Sequence, residues 1–288
     1  MVRTLVTPAE LAAMPDALVI DTRAPDAFAS GHIPGAVNLH EIFTYLATSD
    51  ADGLAKLRDT FAAAFGAAGL SGKQTAVLCE QSMNTGFGQS CRGYYLLSWL
   101  GYPKAAVLHG GLAAWQAAGL PISTDAATPK PAVFPLAAEP APIMVSKEEV
   151  RAALARPEIV LLDVRDVDEW IGDSSSPYGR DFCPRKGRLP GARWIEWYRF
   201  MKPTGAGPMF KTPAEIRAEL ATVGITVDTP VYLYCFKGAR ASNSFVALKE
   251  AGVKDVRIYF GSWNEWSRDP SCPIEEGPPE PLSLARAA

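Results

Sequence analysis

Cys235 is the residue of this sequence best placed for covalent chemistry. It follows the apolar run Val231-Tyr232-Leu233-Tyr234 and opens the segment Cys235-Phe236-Lys237-Gly238-Ala239-Arg240-Ala241-Ser242-Asn243, which leads into a helical stretch over 244–250. A thiol between a strand end and a helix start faces backbone N–H groups and the positive end of a helix dipole. Both favour the thiolate over the thiol. Lys237 and Arg240 add positive charge, and Gly238 permits a turn in which successive amides converge on one anion. Phe236, Ala239 and Ala241 complete the loop, so these three, with Lys237, Gly238 and Arg240, are expected to surround a bound substrate. The pattern points to a nucleophilic cysteine working on an anionic partner.

The other candidates read more simply. A cysteine at a strand end is usually a small buried hydrophobe, and that reading is kept for Cys79, Cys91, Cys183 and Cys272. Cys79 ends the corresponding strand of the first half, but the acid Glu80 follows it, and the stretch to Cys91-Arg92 is too long for the same short ring. Around an insertion between Trp170 and Gly187, Arg180, Arg185, Lys186, Arg188 and Arg193 stand against Asp173 and Asp181. Arg180 and Arg185 are expected at the pocket mouth, steering anions; the alternative is a solvated loop. Asp21/Arg23 and Asp163/Arg165 recur in both halves, including the half without a reactive loop, and are read as groups that organise adjoining loops. His32 is expected to pin its turn, not to act as a base, while His40 and His109 show no partner pattern. Trp194, Trp197, Trp263 and Trp266 are assigned to packing, with Trp194 or Trp197 in reach of the entrance.

The elements that must position these residues are written twice. Thr7-Pro8-Ala9-Glu10 and Ser146-Lys147-Glu148-Glu149 are capping boxes opening helices. Each is followed by an apolar run ending in an acid, Ala17 to Asp21 and Ile159 to Asp163, as expected of strands buried in a parallel sheet. Next come the turns Gly31-His32-Ile33-Pro34-Gly35-Ala36 and Gly187-Arg188-Leu189-Pro190-Gly191-Ala192, then a second strand, then a Gly-to-Trp turn at 110–115 and at 261–266. Strand alternating with helix predicts an α/β fold of two tandem domains, each a parallel sheet flanked by helices. The Pro- and Ala-rich stretch 125–142 is expected to be a linker between a domain over 1–124 and a second over 143–288.

Composition narrows the function classes. The chain has 288 residues, 28 Lys plus Arg against 31 Asp plus Glu, and a net charge of −3, which offers no general attraction to nucleic acid or to anionic membranes. Residues 1–8 lack an apolar signal core, so export is not expected. Five widely spaced cysteines, an odd number, suggest free thiols in a reducing, cytoplasmic setting. No cysteine and histidine spacing suggests a metal site.

Taken in order, the Asp/Arg pairs, the two Gly-x-x-Pro-Gly-Ala turns, the Cys235 loop and Tyr259-Phe260-Gly261-Ser262-Trp263-Asn264-Glu265-Trp266 resemble the rhodanese family, in particular its two-domain sulfurtransferases. The resemblance covers nearly the whole chain. It implies a catalytic second domain, a first domain that has lost its nucleophile, and double displacement through a persulfide on Cys235. The donor would be a small anion such as thiosulfate or 3-mercaptopyruvate, with Lys237 favouring thiosulfate. The acceptor would be a thiol, cyanide or a protein thiol, and no metal or organic cofactor is implied. Lys237 and Arg240 would hold the oxyanion end of the donor. The C-x4-R spacing of Cys235 and Arg240 differs from the longer C-x5-R ring of phosphatase relatives, which disfavours phosphate or arsenate chemistry. The alternative class is a persulfide carrier or sulfide-sensing module with little small-molecule turnover.

Overall fold

The computed structural model describes residues 3–125 and 127–279. Met1, Val2, Ala126 of the expected linker and residues 280–288 of the expected second domain lie outside the described residues.

The first domain contains β1 (Leu5–Val6), α1 (Pro8–Ala12), β2 (Ala17–Asp21), α2 (Pro25–Ala29), β3 (Val37–Asn38), α3 (Glu41–Thr44), α4 (Ala51–Ala67), β4 (Thr75–Cys79), α5 (Gln89–Trp99), β5 (Ala105–Leu108) and α6 (Gly111–Ala117). The second contains β6 (Met144–Val145), α7 (Lys147–Ala153), β7 (Val160–Asp163), α8 (Val167–Trp170), β8 (Arg193–Trp194), the hairpin β9 (Met201–Lys202) and β10 (Met209–Phe210), α9 (Pro213–Ala221), β11 (Val231–Tyr234), α10 (Ala239–Glu250), β12 (Val256–Tyr259) and α11 (Ser262–Trp266). The sheets are parallel and share one topology, β1-β5-β4-β2-β3 and β6-β12-β11-β7-β8. The duplication read from the sequence is therefore a duplication of fold.

Both expected capping boxes form, with Thr7 Oγ1 accepting the Glu10 N–H and Ser146 Oγ accepting the Glu149 N–H. The Asp/Arg pairs act alike in the two copies. Arg23 and Arg165 bond Asp21 and Asp163 through Nε and Nη2, and each Nη2 also donates to the carbonyl of the first glycine of the following turn, Gly31 or Gly187. A buried guanidinium thus ties a strand end to the loop that passes over it. The His32 ring nitrogens lie 2.9 and 3.1 Å from the carbonyls of Phe28 and Asp125, consistent with the expected loop-pinning role.

The two domains share a core. One apolar cluster includes Phe61, Leu78 and Tyr95 of the first and Leu233, Phe245 and Phe260 of the second. Helices α5 and α10 meet at the centre, where the Tyr95 ring lies 5.1 Å from Phe245 and 5.6 Å from Phe260. Glu265 accepts from both the N–H and the Oγ of Ser49, and the Phe210 N–H donates to His109 Nε2 at 3.0 Å. The segment from Ala132 to Ala141 packs on the first domain, with Phe134 buried and Ala132 and Ala141 donating to the carbonyls of Gly66 and Trp99.

The His109 contact carries a pH prediction. Burial pushes His109 down to about 4 from its ordinary 6.5, and the Phe210 bond requires Nε2 without its proton. Between those values the unfolded chain takes up a proton that the folded protein refuses, so stability present above pH 6.5 is lost as the pH falls toward 4. Urea unfolding from pH 7 to pH 4 is expected to show a steeper acid loss for the wild type than for His109→Gln. Identical slopes would remove His109 from the acid response.

Candidate active site

The loop expected after β11 forms, in a tighter arrangement than the sequence suggested. The strand ends at Tyr234, and α10 starts at Ala239, several residues before the expected helical stretch. The reason is Gly238, whose φ of +91° turns the chain straight from the loop into the helix, where Ala239, Arg240 and Ala241 are good helix formers. Arg240 is consequently a first-turn helix residue.

Cys235 is 1% exposed, and its Sγ accepts the Gly238 N–H at 3.1 Å. The sulfur sits at the N-terminus of a twelve-residue helix, where the dipole favours negative charge. Three further bonds hold its backbone and that of Phe236. The Cys235 N–H donates to Ser262 Oγ at 3.2 Å, and the Cys235 and Phe236 carbonyls accept from Trp263 and Asn264 at 3.0 Å each. Ser262 is one of two non-glycine residues with positive φ among the described residues, at 55°; the other is Phe87, at 52°, on the opposite wall of the pocket. Backbone strain collects at this one place, as at many functional sites.

The pocket above Cys235 is a cleft of about 220 Å³ between the domains. The second domain contributes Cys235, Phe236, Lys237, Ala239, Arg240, Pro177 and Tyr178, and the first contributes Phe43, Thr85, Phe87 and Gln89. Lys237 is buried with its Nζ 4.1 Å from the centre of the Phe43 ring and 4.9 Å from that of Tyr178. No carboxylate pairs with it among the described residues. Burial, and then repulsion from Arg92, pull Lys237 down to about 8.

Of the other expected cations, Arg240 reaches the cleft, Arg180 stands outside its lining, and Arg185 is corrected. Arg240 lines the cleft, but Nη1 lies 3.0 Å from Asp166 Oδ2 and 2.5 Å from Glu169 Oε2, with Nη2 donating to Glu169 Oε1 at 3.0 Å. Its charge is neutralised inside the protein and its end-on Nη1–Nη2 face is taken, which leaves only the Nε side for an oxyanion. Arg185 does not reach the pocket. It donates to the carbonyls of Ser267, Cys272, Trp266 and Asp269, which end the turn after α11. Arg180 is exposed and absent from the pocket lining. The basic cluster is mostly spent locally, with Lys186 on Asp181, Arg188 on Glu275 and Arg193 on the carbonyls of Val223 and Gly224. The insertion instead lays Pro177 and Tyr178 over the cleft. Trp197 packs 6.0 Å from the Phe87 ring, and Trp194 donates to the Arg165 carbonyl.

The rhodanese-like domain model matches residues 7–118 and again residues 146–269. The chain belongs to the rhodanese family. It is 28% identical to a thiosulfate sulfurtransferase of Azotobacter vinelandii over 94% of this chain and 96% of that one. A probable 3-mercaptopyruvate sulfurtransferase of Pseudomonas aeruginosa is 30% identical, covering 95% of this chain and 98% of the relative. A sulfur carrier protein of Thermus thermophilus is 27% identical over 86% of each chain. Among solved structures, the wild-type enzyme EanB superposes with a TM-score of 0.80 at 26% identity, over 96% of this chain and 70% of that chain.

The two rhodanese domains can be superposed by their hydrogen bonds, and this corrects the expected correspondence of cysteines. In the second domain Val164 N–H donates to the Tyr234 carbonyl and Trp263 N–H to that of Cys235; in the first, Thr22 donates to Cys79 and Leu112 to Glu80. Cys79 therefore matches Tyr234, and Glu80 stands where Cys235 stands. The sequence suggested Cys79 because both cysteines close an apolar run, but β4 is one residue longer than β11. Glu80 is fully buried at the start of α5, accepting from Ser90 Oγ at 2.7 Å and from the Gln89 N–H at 3.2 Å. Burial pushes it up to about 7, against the pull of these donors. Cys79 is buried too, and desolvation with the nearby Asp21 drives its thiol well above the ordinary range.

Gly238 offers a test of the loop. A Cβ there would lie 2.8 Å from the Phe260 ring at a φ unsuited to side chains, whereas Gly252, at φ +88°, faces open space. Gly252→Ala is expected to cost about 1 kcal/mol of backbone strain. Gly238→Ala is expected to cost about 2 kcal/mol or more and to abolish selective alkylation of Cys235. Equal losses of stability in the two variants, with Cys235 still reactive, would show that the tight approach to Phe260 does not shape the loop.

Proposed function

We propose that this protein is a sulfurtransferase that moves sulfane sulfur from thiosulfate, or a related anionic donor, to a thiol acceptor through a persulfide on Cys235. The observation that carries the reading is a buried sulfur at a helix N-terminus, accepting a backbone N–H, in a cleft whose one unpaired lining cation among the described residues is Lys237. In the first step the Cys235 thiolate attacks the outer sulfur of thiosulfate. The S–S bond of the donor breaks, and sulfite leaves with the bonding pair. In the second, an acceptor thiolate attacks the outer sulfur of the persulfide, and Cys235 leaves as a thiolate. The amide at Gly238 and the dipole of α10 stabilise negative charge at sulfur throughout. The ring faces of Phe43 and Tyr178 hold Lys237 in place without neutralising it, so its ammonium remains available to the sulfonate end of the donor.

The likeness to a sulfur carrier supports a second reading, in which Cys235 is loaded once and discharged only to a partner protein. Solved complexes of the EanB fold relative contain hercynine, a trimethylated histidine. A quaternary ammonium acceptor is disfavoured in this cleft, because Lys237 already occupies the aromatic faces of Phe43 and Tyr178 that would receive it.

Incubation with thiosulfate is expected to add the mass of one sulfur atom at Cys235, and Cys235→Ser is expected to remain folded and gain none. Multiple turnovers from thiosulfate to cyanide support the enzyme, whereas stoichiometric loading without turnover supports the carrier. Failure of the wild type to load ends both.

Lys237 adds a pH test. Its ammonium binds the anionic donor below about pH 8 and is lost above that value. The KM for thiosulfate is expected to rise about tenfold from pH 7 to pH 9 as the charged fraction falls. Lys237→Arg should flatten the rise, and Lys237→Met should show a high KM throughout. A wild-type KM independent of pH would place donor binding elsewhere.

A further inference from the structure

Arg92 has no place in the chemistry so far, and its surroundings are unusual. It is 0% exposed, on the first domain, in the opening turn of α5. Nη2 donates to the Tyr45 carbonyl at 2.6 Å and Nη1 to the Phe43 carbonyl at 3.4 Å, while Nε has no partner. Among the described residues four other arginines are comparably buried, and each is paired with a carboxylate: Arg23 with Asp21, Arg165 with Asp163, Arg188 with Glu275 and Arg240 with Glu169. Arg92 has no carboxylate partner among the described residues. A buried, uncompensated guanidinium costs several kcal/mol, so a fold that keeps one supplies an anion from elsewhere.

The geometry indicates where. The guanidinium carbon of Arg92 lies 4.6 Å from the centre of the Phe260 ring, the same ring against which Gly238 packs. The first turns of α5 and α10 touch, since a Cβ on Gly88 would lie 2.8 Å from the Ala239 carbonyl oxygen. Arg92 therefore sits on the first-domain side of the seam whose second-domain side holds the Cys235 loop. Burial pulls Arg92 down to about 10, and charge on Cys235 pulls it back up. The other charged and titratable groups facing Cys235 are Lys237, Tyr178 and Arg240, the last neutralised by Glu169 and Asp166.

We propose that Arg92 is the counter-charge, supplied by the domain without a nucleophile, for the anionic sulfur on Cys235, and that thiolate or persulfide completes an ion pair left open in the uncharged protein. This rests on the persulfide reading above. It assigns the first domain an electrostatic part in the reaction, in addition to forming one wall of the cleft.

The rival explanation is mechanical, with Arg92 serving to staple the carbonyls of Phe43 and Tyr45. Two substitutions separate them. Arg92→Lys keeps the charge but lacks the fork needed to bridge two carbonyls, and Arg92→Met keeps much of the volume with neither. The readout is the rate of iodoacetamide alkylation mapped to Cys235 by peptide mass, together with the thermal shift on loading with thiosulfate. Expected at neutral pH are a small loss of rate in Arg92→Lys and a loss of about tenfold in Arg92→Met, the effect of removing one nearby charge. The wild type and Arg92→Lys should gain thermal stability on loading, and Arg92→Met should gain less. Equal losses in the two variants, or none in either, would overturn the proposal in favour of a staple. If Arg92→Met does not fold, the comparison of wild type with Arg92→Lys decides. A large rate loss in Arg92→Lys, or no thermal gain on loading the wild type, counts against the ion pair. Absence of the added sulfur on the wild type would instead remove the persulfide reading itself, so the two failures are distinct.

Discussion

On the persulfide reading, holding negative charge on a sulfur atom that water scarcely reaches is the constraint around which the centre of this protein is organised. Desolvation of an anion costs several kcal/mol unless fixed dipoles and charges replace the lost solvent, and each element near Cys235 supplies part of that replacement. The parallel sheet ends β11 beside the start of α10, which puts the sulfur at the N-terminus of the helix. Gly238 makes the turn short enough for its own N–H to reach Sγ. Ser262, held at a strained φ, fixes the Cys235 amide from the far side. The Asp163–Arg165 pair anchors the neighbouring strand end, and Trp263 packs over that guanidinium at 4.6 Å, so the supports brace one another.

The first domain shows what the same architecture does with a different anion. Glu80 occupies the position of Cys235, and its carboxylate takes the donors at the start of α5 for itself. A carboxylate satisfied in this way is neither displaced nor made reactive, so the donors at that position are taken by the domain's own side chain. Burial pushes Glu80 up to about 7 even with several donors in place, which reflects how expensive it is to bury a carboxylate. A helix N-terminus alone compensates only part of a buried charge. On the persulfide reading the anion at Cys235 must form fully, and there Lys237 lines the cleft beside the loop.

Much of this was legible in the sequence, for reasons that are local. Capping boxes, apolar runs and glycine-proline turns are short-range signals, and their ordered repetition specifies two parallel sheets. Cys235, Lys237 and Gly238 lie within four positions of one another, so their association is fixed by the chain. What could not be read were the relationships between distant segments. Arg240 was expected to face the donor, but its partners Glu169 and Asp166 come from a helix some seventy positions earlier and claim the guanidinium first. Arg185 carries the right charge in the right insertion, yet the carbonyl ends beyond α11 offer it four acceptors. Phe43, Thr85, Phe87 and Gln89 belong to the other domain, and no spacing rule brings them over Cys235. The nearest signal was Gly86-Phe87-Gly88, a turn ahead of the helix that corresponds to α10.

The contrast between the two kinds of cation at the seam explains how the cleft stays receptive. A guanidinium bound to carboxylates is a fixed structural joint. Arg240 is of this kind, and its pairing keeps α8 and α10 together while adding little net charge to the cleft. A cation resting on an aromatic face is different, because the ring stabilises it by only about 0.5–2 kcal/mol and brings no competing negative charge. Lys237 on Phe43 and Tyr178, and Arg92 on Phe260, are of this second kind. Carboxylates in place of those rings would make the resting protein more comfortable and would also repel the donor and the sulfur anion alike. The aromatic walls thus let the protein carry two positive charges without carboxylate partners among the described residues into a buried seam at a tolerable cost. On the proposed reading, that imbalance, held between two copies of one fold, lets an incoming anion restore electrical balance when it binds.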